Sequence, residues 1–71
     1  MFDQAQTSGN ARRAKYARDH GMDVMYAEDR CSRYETWAYS DGDRVPMRPF
    51  YTLEGLQGYA QKHHYAVIYV A

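Results

Sequence analysis

The spacing of hydrophobic and polar positions changes character several times along this chain of 71 residues, and each change marks an element. Residues 1–8 carry Gln, Thr and Ser with little periodicity and read as a loose N-terminal segment, unless Phe2 tucks onto the core. Ser8 or Asn10 is placed to cap a first helix, because either side chain accepts from the free N–H groups of a first turn. Ala11 to His20 follows as a good helix former, with Gly21 suited to the position just past its end. Ala11, Ala14 and Ala17 make a narrow, smooth face that buries little area, so this helix is expected to dock weakly.

From Asp23 the period becomes two. Val24, Tyr26 and Glu28 alternate with Met25, Ala27 and Asp29, and Tyr34, Thr36 and Ala38 alternate with Glu35, Trp37 and Tyr39. Two such runs around the polar Asp29–Ser32 stretch predict a hairpin. Ser40-Asp41-Gly42-Asp43 is the strongest turn signal in the chain, since Gly42 accepts a positive φ and Asp41 can bond its own backbone ahead. The stretch Arg44 to Pro49 reads as an extended linker or an edge strand, because its two prolines cannot donate to a ladder.

A second helix is the clearest element. Thr52 is its N-cap, Glu54 sits in the first turn, and Leu53, Leu56, Tyr59, Ala60 and His63 recur at helical spacing. Gly55 and Gly58 each cost roughly 1 kcal/mol there and suggest either close packing on a sheet or a helix stabilised only in context. Ala66 to Val70 is then a short apolar strand, β-branched enough to be central. The expectation is one small α+β domain over residues 1–71, in the order α-β-β-α-β. Its sheet is three-stranded and mostly antiparallel, with both helices on one face.

Composition sharpens this picture. Leu, Ile, Val and Phe number only nine, whereas there are eight Tyr and one Trp, so the core is expected to be aromatic. Nine Lys and Arg balance nine Asp and Glu, which argues against a general nucleic-acid coat or a polybasic membrane binder. One cysteine, Cys31, forms no internal disulfide, and the start of the chain has no signal-peptide pattern. Its longest apolar run, Tyr65 to Ala71, is far below a transmembrane span, so the expected setting is cytoplasmic.

Candidate chemistry is sparse. His20, His63 and His64 with Asp19 and Asp23 lack any metal-ligand spacing and read as helix-end residues. Cys31 between Arg30 and Arg33 has cations that would favour a thiolate, but no accompanying signature; it reads as a structural thiol. No phosphate loop, serine elbow or carboxylate pair is present, so neither an enzyme nor a cofactor is expected.

Arg and Tyr remain. Eight phenols exceed what so small a core can bury with their hydroxyls satisfied, and Tyr, Trp and Arg dominate interface hot spots. The chain is therefore expected to bind a protein or ribonucleoprotein partner, with Arg30, Arg33, Tyr34, Tyr39 and Arg48 as first contact candidates. One alternative is nucleic-acid binding through Arg12, Arg13, Lys15 and Arg18 of the first helix. Another is a homodimeric scaffold. Small size, no catalytic constellation and a surface rich in Arg and Tyr resemble, in general character, the compact inhibitors encoded by phages and mobile elements. Anti-CRISPR proteins are among these. That resemblance covers no motif, and no residue is carried across from it.

Overall fold

The computed structural model describes residues 4–70, with side chains from residue 9 onward. It is α+β, with two helices and a four-stranded mixed sheet. The elements are α1 (Gln4–His20), β1 (Asp23–Asp29), β2 (Tyr34–Ser40), β3 (Asp43–Pro46), α2 (Leu53–Lys62) and β4 (Tyr65–Val70). The strand order across the sheet is β3-β2-β1-β4, with β1 antiparallel to β2, β2 antiparallel to β3, and β4 parallel to β1. Two expectations are corrected here. The sheet has four strands rather than three, because the Arg44–Pro46 stretch joins it as an edge. The last strand runs parallel to β1, because α2 carries the chain back across the sheet before β4 begins.

The hairpins follow local rules. Asp41 and Gly42 have φ values of 53° and 83°, the pair of positive angles that lets a two-residue loop match the twist of β2 and β3. Pro46 closes β3, but the chain keeps following the rim of β2 at intervals. The Met47 N–H donates to the Thr36 carbonyl at 2.9 Å, and Tyr34 and Phe50 exchange both backbone bonds, at 2.6 and 3.0 Å. The buried Thr36 hydroxyl donates to the Arg48 carbonyl at 2.7 Å and holds the proline-bearing stretch in place.

Helix α2 forms as its spacing predicts. The Thr52 side chain accepts from the Gly55 N–H at 3.0 Å, and Leu56 and Ala60 are buried. Leu56 and Met25 have no exposed surface and sit in a core completed by Ala27, Phe50, Ala60, Val67 and Tyr69. The close packing expected at the helix glycines is absent. A Cβ at Gly58 would meet nothing within 4 Å, and one at Gly55 would meet chiefly the Thr52 cap. Nothing in the structure explains Gly58.

Helix α1 departs most from expectation. It begins at Gln4, so Ser8 and Asn10 lie inside it and not at its N-cap position, and the segment read as loose is helical from its fourth residue; Phe2 lies outside the described residues. Asn10 instead faces the outer edge of β4. Its Nδ2 donates to the Tyr69 carbonyl at 2.7 Å and its Oδ1 accepts from the Tyr69 N–H at 2.9 Å. Arg13 Nε donates to the Val67 carbonyl at 2.8 Å. A strand whose composition reads as central is thus an edge strand whose open side is satisfied by helix side chains in place of a neighbouring strand. Of the small face read from Ala11, Ala14 and Ala17, Ala17 is fully buried, Ala14 is half-buried and Ala11 is exposed. Asn10→Ala is expected to cost about 1–2 kcal/mol, the lost bonds being partly offset by alanine's better helix propensity. Amide exchange checks this: the Tyr69 N–H should exchange at least tenfold faster while that of Met25 changes less.

Candidate functional site

Strand alternation sorts the side chains onto two faces. Met25, Ala27, Thr36, Val67 and Tyr69 point towards α2. Tyr26 and Glu28 of β1, Glu35, Trp37 and Tyr39 of β2, and Arg44 and Pro46 of β3 point the other way. Among the described residues, no helix lies across this second face, whose centre is aromatic. The Tyr26 and Trp37 rings stack with centroids 5.9 Å apart, and Tyr39 meets Tyr26 edge-on at 5.3 Å. The Arg44 guanidinium lies 3.8 Å from the centre of the Trp37 ring. Trp37 is only 5% exposed, while Tyr39 is 54% exposed. The Trp37 Nε1–H is buried without an acceptor, an arrangement that costs stability unless something supplies one.

At the hairpin end of the same face, Glu28 and Glu35 stand directly opposite each other. Such like-charged pairs repel. Arg30 Nη1 lies 3.3 Å from Glu28 and Arg33 Nη2 lies 2.7 Å from Glu35, so each carboxylate carries its own counter-charge. The exposed loop between them is pinned by the Cys31 N–H donating to Asp29 Oδ1 at 3.0 Å, with Cys31 at a φ of 70°.

Of the five contact candidates read from sequence, the structure brings Arg30, Arg33 and Tyr39 to one face. Tyr34 and Arg48 lie elsewhere: Tyr34 is half-buried against the core, and Arg48 stacks over Phe50 with its guanidinium 5.1 Å from the ring centre. Sequence reasoning missed Tyr26, Trp37 and Arg44. The signal was present in the alternation of Trp37 and Tyr39, but placing Arg44 over Trp37 required the register of β3.

The arginines of α1 divide. Arg13 is tied to the sheet edge and to Asn10 Oδ1, and its guanidinium lies 4.9 Å from the centre of the Tyr69 ring. Arg12, Lys15 and Arg18 are exposed, or nearly so, along the helix. The tyrosines divide as well. Tyr16, Tyr39 and Tyr51 are exposed, Tyr69 is buried with its hydroxyl accepting from Gln57 at 3.3 Å, and the others are half-buried.

The histidines sit at helix ends, as read. The His20 ring nitrogen Nδ1 is 2.9 Å from the Tyr16 carbonyl and its ring stacks on Tyr16 at 3.9 Å. His63 closes α2 and packs on Tyr59. Among the described residues, no three of His, Cys, Asp or Glu come together, and no helix is long and apolar enough to cross a membrane. Compared with family models, curated proteins and solved structures, the chain matches none.

Proposed function

We propose that this chain is a small binding protein that occupies a surface of a larger protein or ribonucleoprotein through the uncovered face of its sheet. The observation that carries this reading is the Tyr26–Trp37–Tyr39 cluster under Arg44, left without a helix and with one buried indole N–H unpaired. Aromatic rings and a guanidinium held by their neighbours lose little freedom on docking, which is why such groups carry much of the energy of protein interfaces. The charge pairs Arg30–Glu28 and Arg33–Glu35 form a polar border to this patch, suited to steering and specificity more than to raw affinity. Inhibition by masking, in the manner of the compact phage-encoded inhibitors, anti-CRISPR proteins among them, needs no more than this.

The test is capture from the native host lysate with four forms of the protein, read by mass spectrometry and then by calorimetry on the purified partner. The expected outcome is at least tenfold weaker binding for Tyr39→Ala/Arg44→Ala, and a smaller loss for Arg30→Ala/Arg33→Ala. Tyr51→Ala, on an exposed ring outside the cluster, should bind like the parent. A partner that binds the Tyr39/Arg44 variant unchanged overturns the reading. Binding of random oligonucleotides that falls steeply with salt would instead favour the cationic helix α1 as the surface. Self-association at micromolar concentration in sedimentation would favour a homodimer.

A further inference from the structure

A second concavity lies on the other side of the sheet. Helices α1 and α2 do not close against each other, and the groove between them, floored by β4, has a volume of about 760 Å³. Arg12, Arg13 and Tyr16 form one bank, and Gln57, Gln61 and His64 the other. That volume falls within the roughly 300–1,000 Å³ range of sites for small organic ligands.

The charge in this groove has one sign. The chain as a whole is neutral, yet α1 carries Arg12, Arg13, Lys15 and Arg18 against the single acid Asp19, and among the described residues no carboxylate lines the groove. The arginines elsewhere are engaged. Arg30 and Arg33 are paired with glutamates, and Arg44 and Arg48 lie over rings. Arg13 is pinned by the Val67 carbonyl and Asn10. It lies back over the buried Gly9, where a Cβ would come within 2.8 Å of its guanidinium. It thus presents fixed positive charge with no ordering left to lose on binding. Arg12 is the uncommitted member: its side chain is exposed and makes no hydrogen bond or ion pair among the described residues. Opposite it, His64, which follows the C-cap of α2 with a left-handed φ of 59°, lines the far bank.

The remainder of the lining suits a planar body. Tyr65 contributes to the floor beside the buried Tyr69, whose ring already carries the Arg13 guanidinium; Gln61 offers both a donor and an acceptor, and Gln57 keeps its carbonyl and one N–H beyond its bond to the Tyr69 hydroxyl. We propose that this groove binds a nucleoside monophosphate. Its phosphate is held by the Arg12 guanidinium, which matches phosphate oxygens bidentately, and its base lies against Tyr65 within reach of Gln57 and Gln61. Since the groove and the aromatic sheet face lie on opposite sides of the sheet, either assignment can fail alone.

The test is titration calorimetry of the full chain with adenosine 5′-monophosphate, adenosine, inorganic phosphate and a twelve-residue oligothymidylate. One saturable site is expected for the monophosphate, at least tenfold tighter than for adenosine or phosphate alone. Arg12→Ala should weaken that site tenfold or more, while Arg30→Ala/Arg33→Ala, which removes two cations elsewhere, leaves it unchanged. Circular dichroism checks that each variant is folded. The proposal is overturned if the monophosphate binds no tighter than inorganic phosphate, or if Arg12→Ala binds like the parent. It is equally overturned if the oligonucleotide binds tenfold tighter than the monophosphate with a steep salt dependence, which would make the groove a single-strand track. Absence of saturable binding to any of the four overturns it too.

Discussion

Trp37→Ala is expected to cost about 3–5 kcal/mol, the range for removing a large buried aromatic side chain. The indole is 5% exposed, with Tyr26 beside it and the Arg44 guanidinium over its ring. Alanine removes the surface on which both partners lie and opens the central pair of strands to water. Stabilities of natural domains run at roughly 0.05–0.15 kcal/mol per residue, so for so short a chain the loss approaches the whole. Trp37→Phe should behave very differently. It gives up part of the ring area but also removes the unpaired Nε1–H, whose burial without an acceptor itself costs about 1–3 kcal/mol. Urea denaturation followed by circular dichroism separates the two: alanine should leave the chain largely unfolded in water, and phenylalanine should stay within about 1 kcal/mol of the parent. If phenylalanine proves as damaging as alanine, the indole nitrogen has an acceptor, and one support for the sheet-face reading is lost.

Leu56→Ala is the second large effect, about 2–5 kcal/mol. Leu56 has no exposed surface and is one of only two leucines in the chain, so the core has no spare aliphatic volume to collapse into the space. It joins α2 to a core cluster that includes Met25, Phe50 and Val67, so its loss should loosen α2 and the parallel β1–β4 pair together. The melting temperature should fall by tens of degrees, at about 4–8 °C per kcal/mol for a domain this small. Leu56→Met, which nearly conserves volume, should cost less than about 1.5 kcal/mol. A small effect of alanine in the same melt would mean that the aromatic half of the core carries α2 instead.

How much of this was legible beforehand differs from element to element. Helix α2 was, because Thr52 and the Leu56–Ala60 spacing act within one or two turns and need no knowledge of the rest of the chain. So was the Asp41–Gly42 turn, which rests on backbone angles that few residues accept. The first hairpin was legible from its alternation, but which of Tyr34 and Tyr39 would be free was not. The two are five residues apart on one strand and so fall on opposite faces, and alternation alone does not say which face a helix covers. Asn10 was read as a cap, a common role for that residue near a helix start. Its true partner, Tyr69, is 59 residues away. Arg12 and Arg13 are neighbours of the same type and look interchangeable in sequence; only the sheet edge tells the pinned one from the open one.

By itself, then, the sequence determined the α+β class, the second helix, the first hairpin, the Asp41–Gly42 turn and an aromatic excess that three tyrosines carry to the surface. These rest on capping, turn angles and hydrophobic period, all of which act over a few residues. The tertiary structure decided that β3 joins the sheet, that β4 runs parallel at an edge sealed by α1, and that the cluster around Trp37 faces away from α2. It also divided the cations between ion pairs, ring contacts and an open groove. Those outcomes depend on which distant segments pair, and pairing is set by the summed burial and hydrogen bonding of the whole chain.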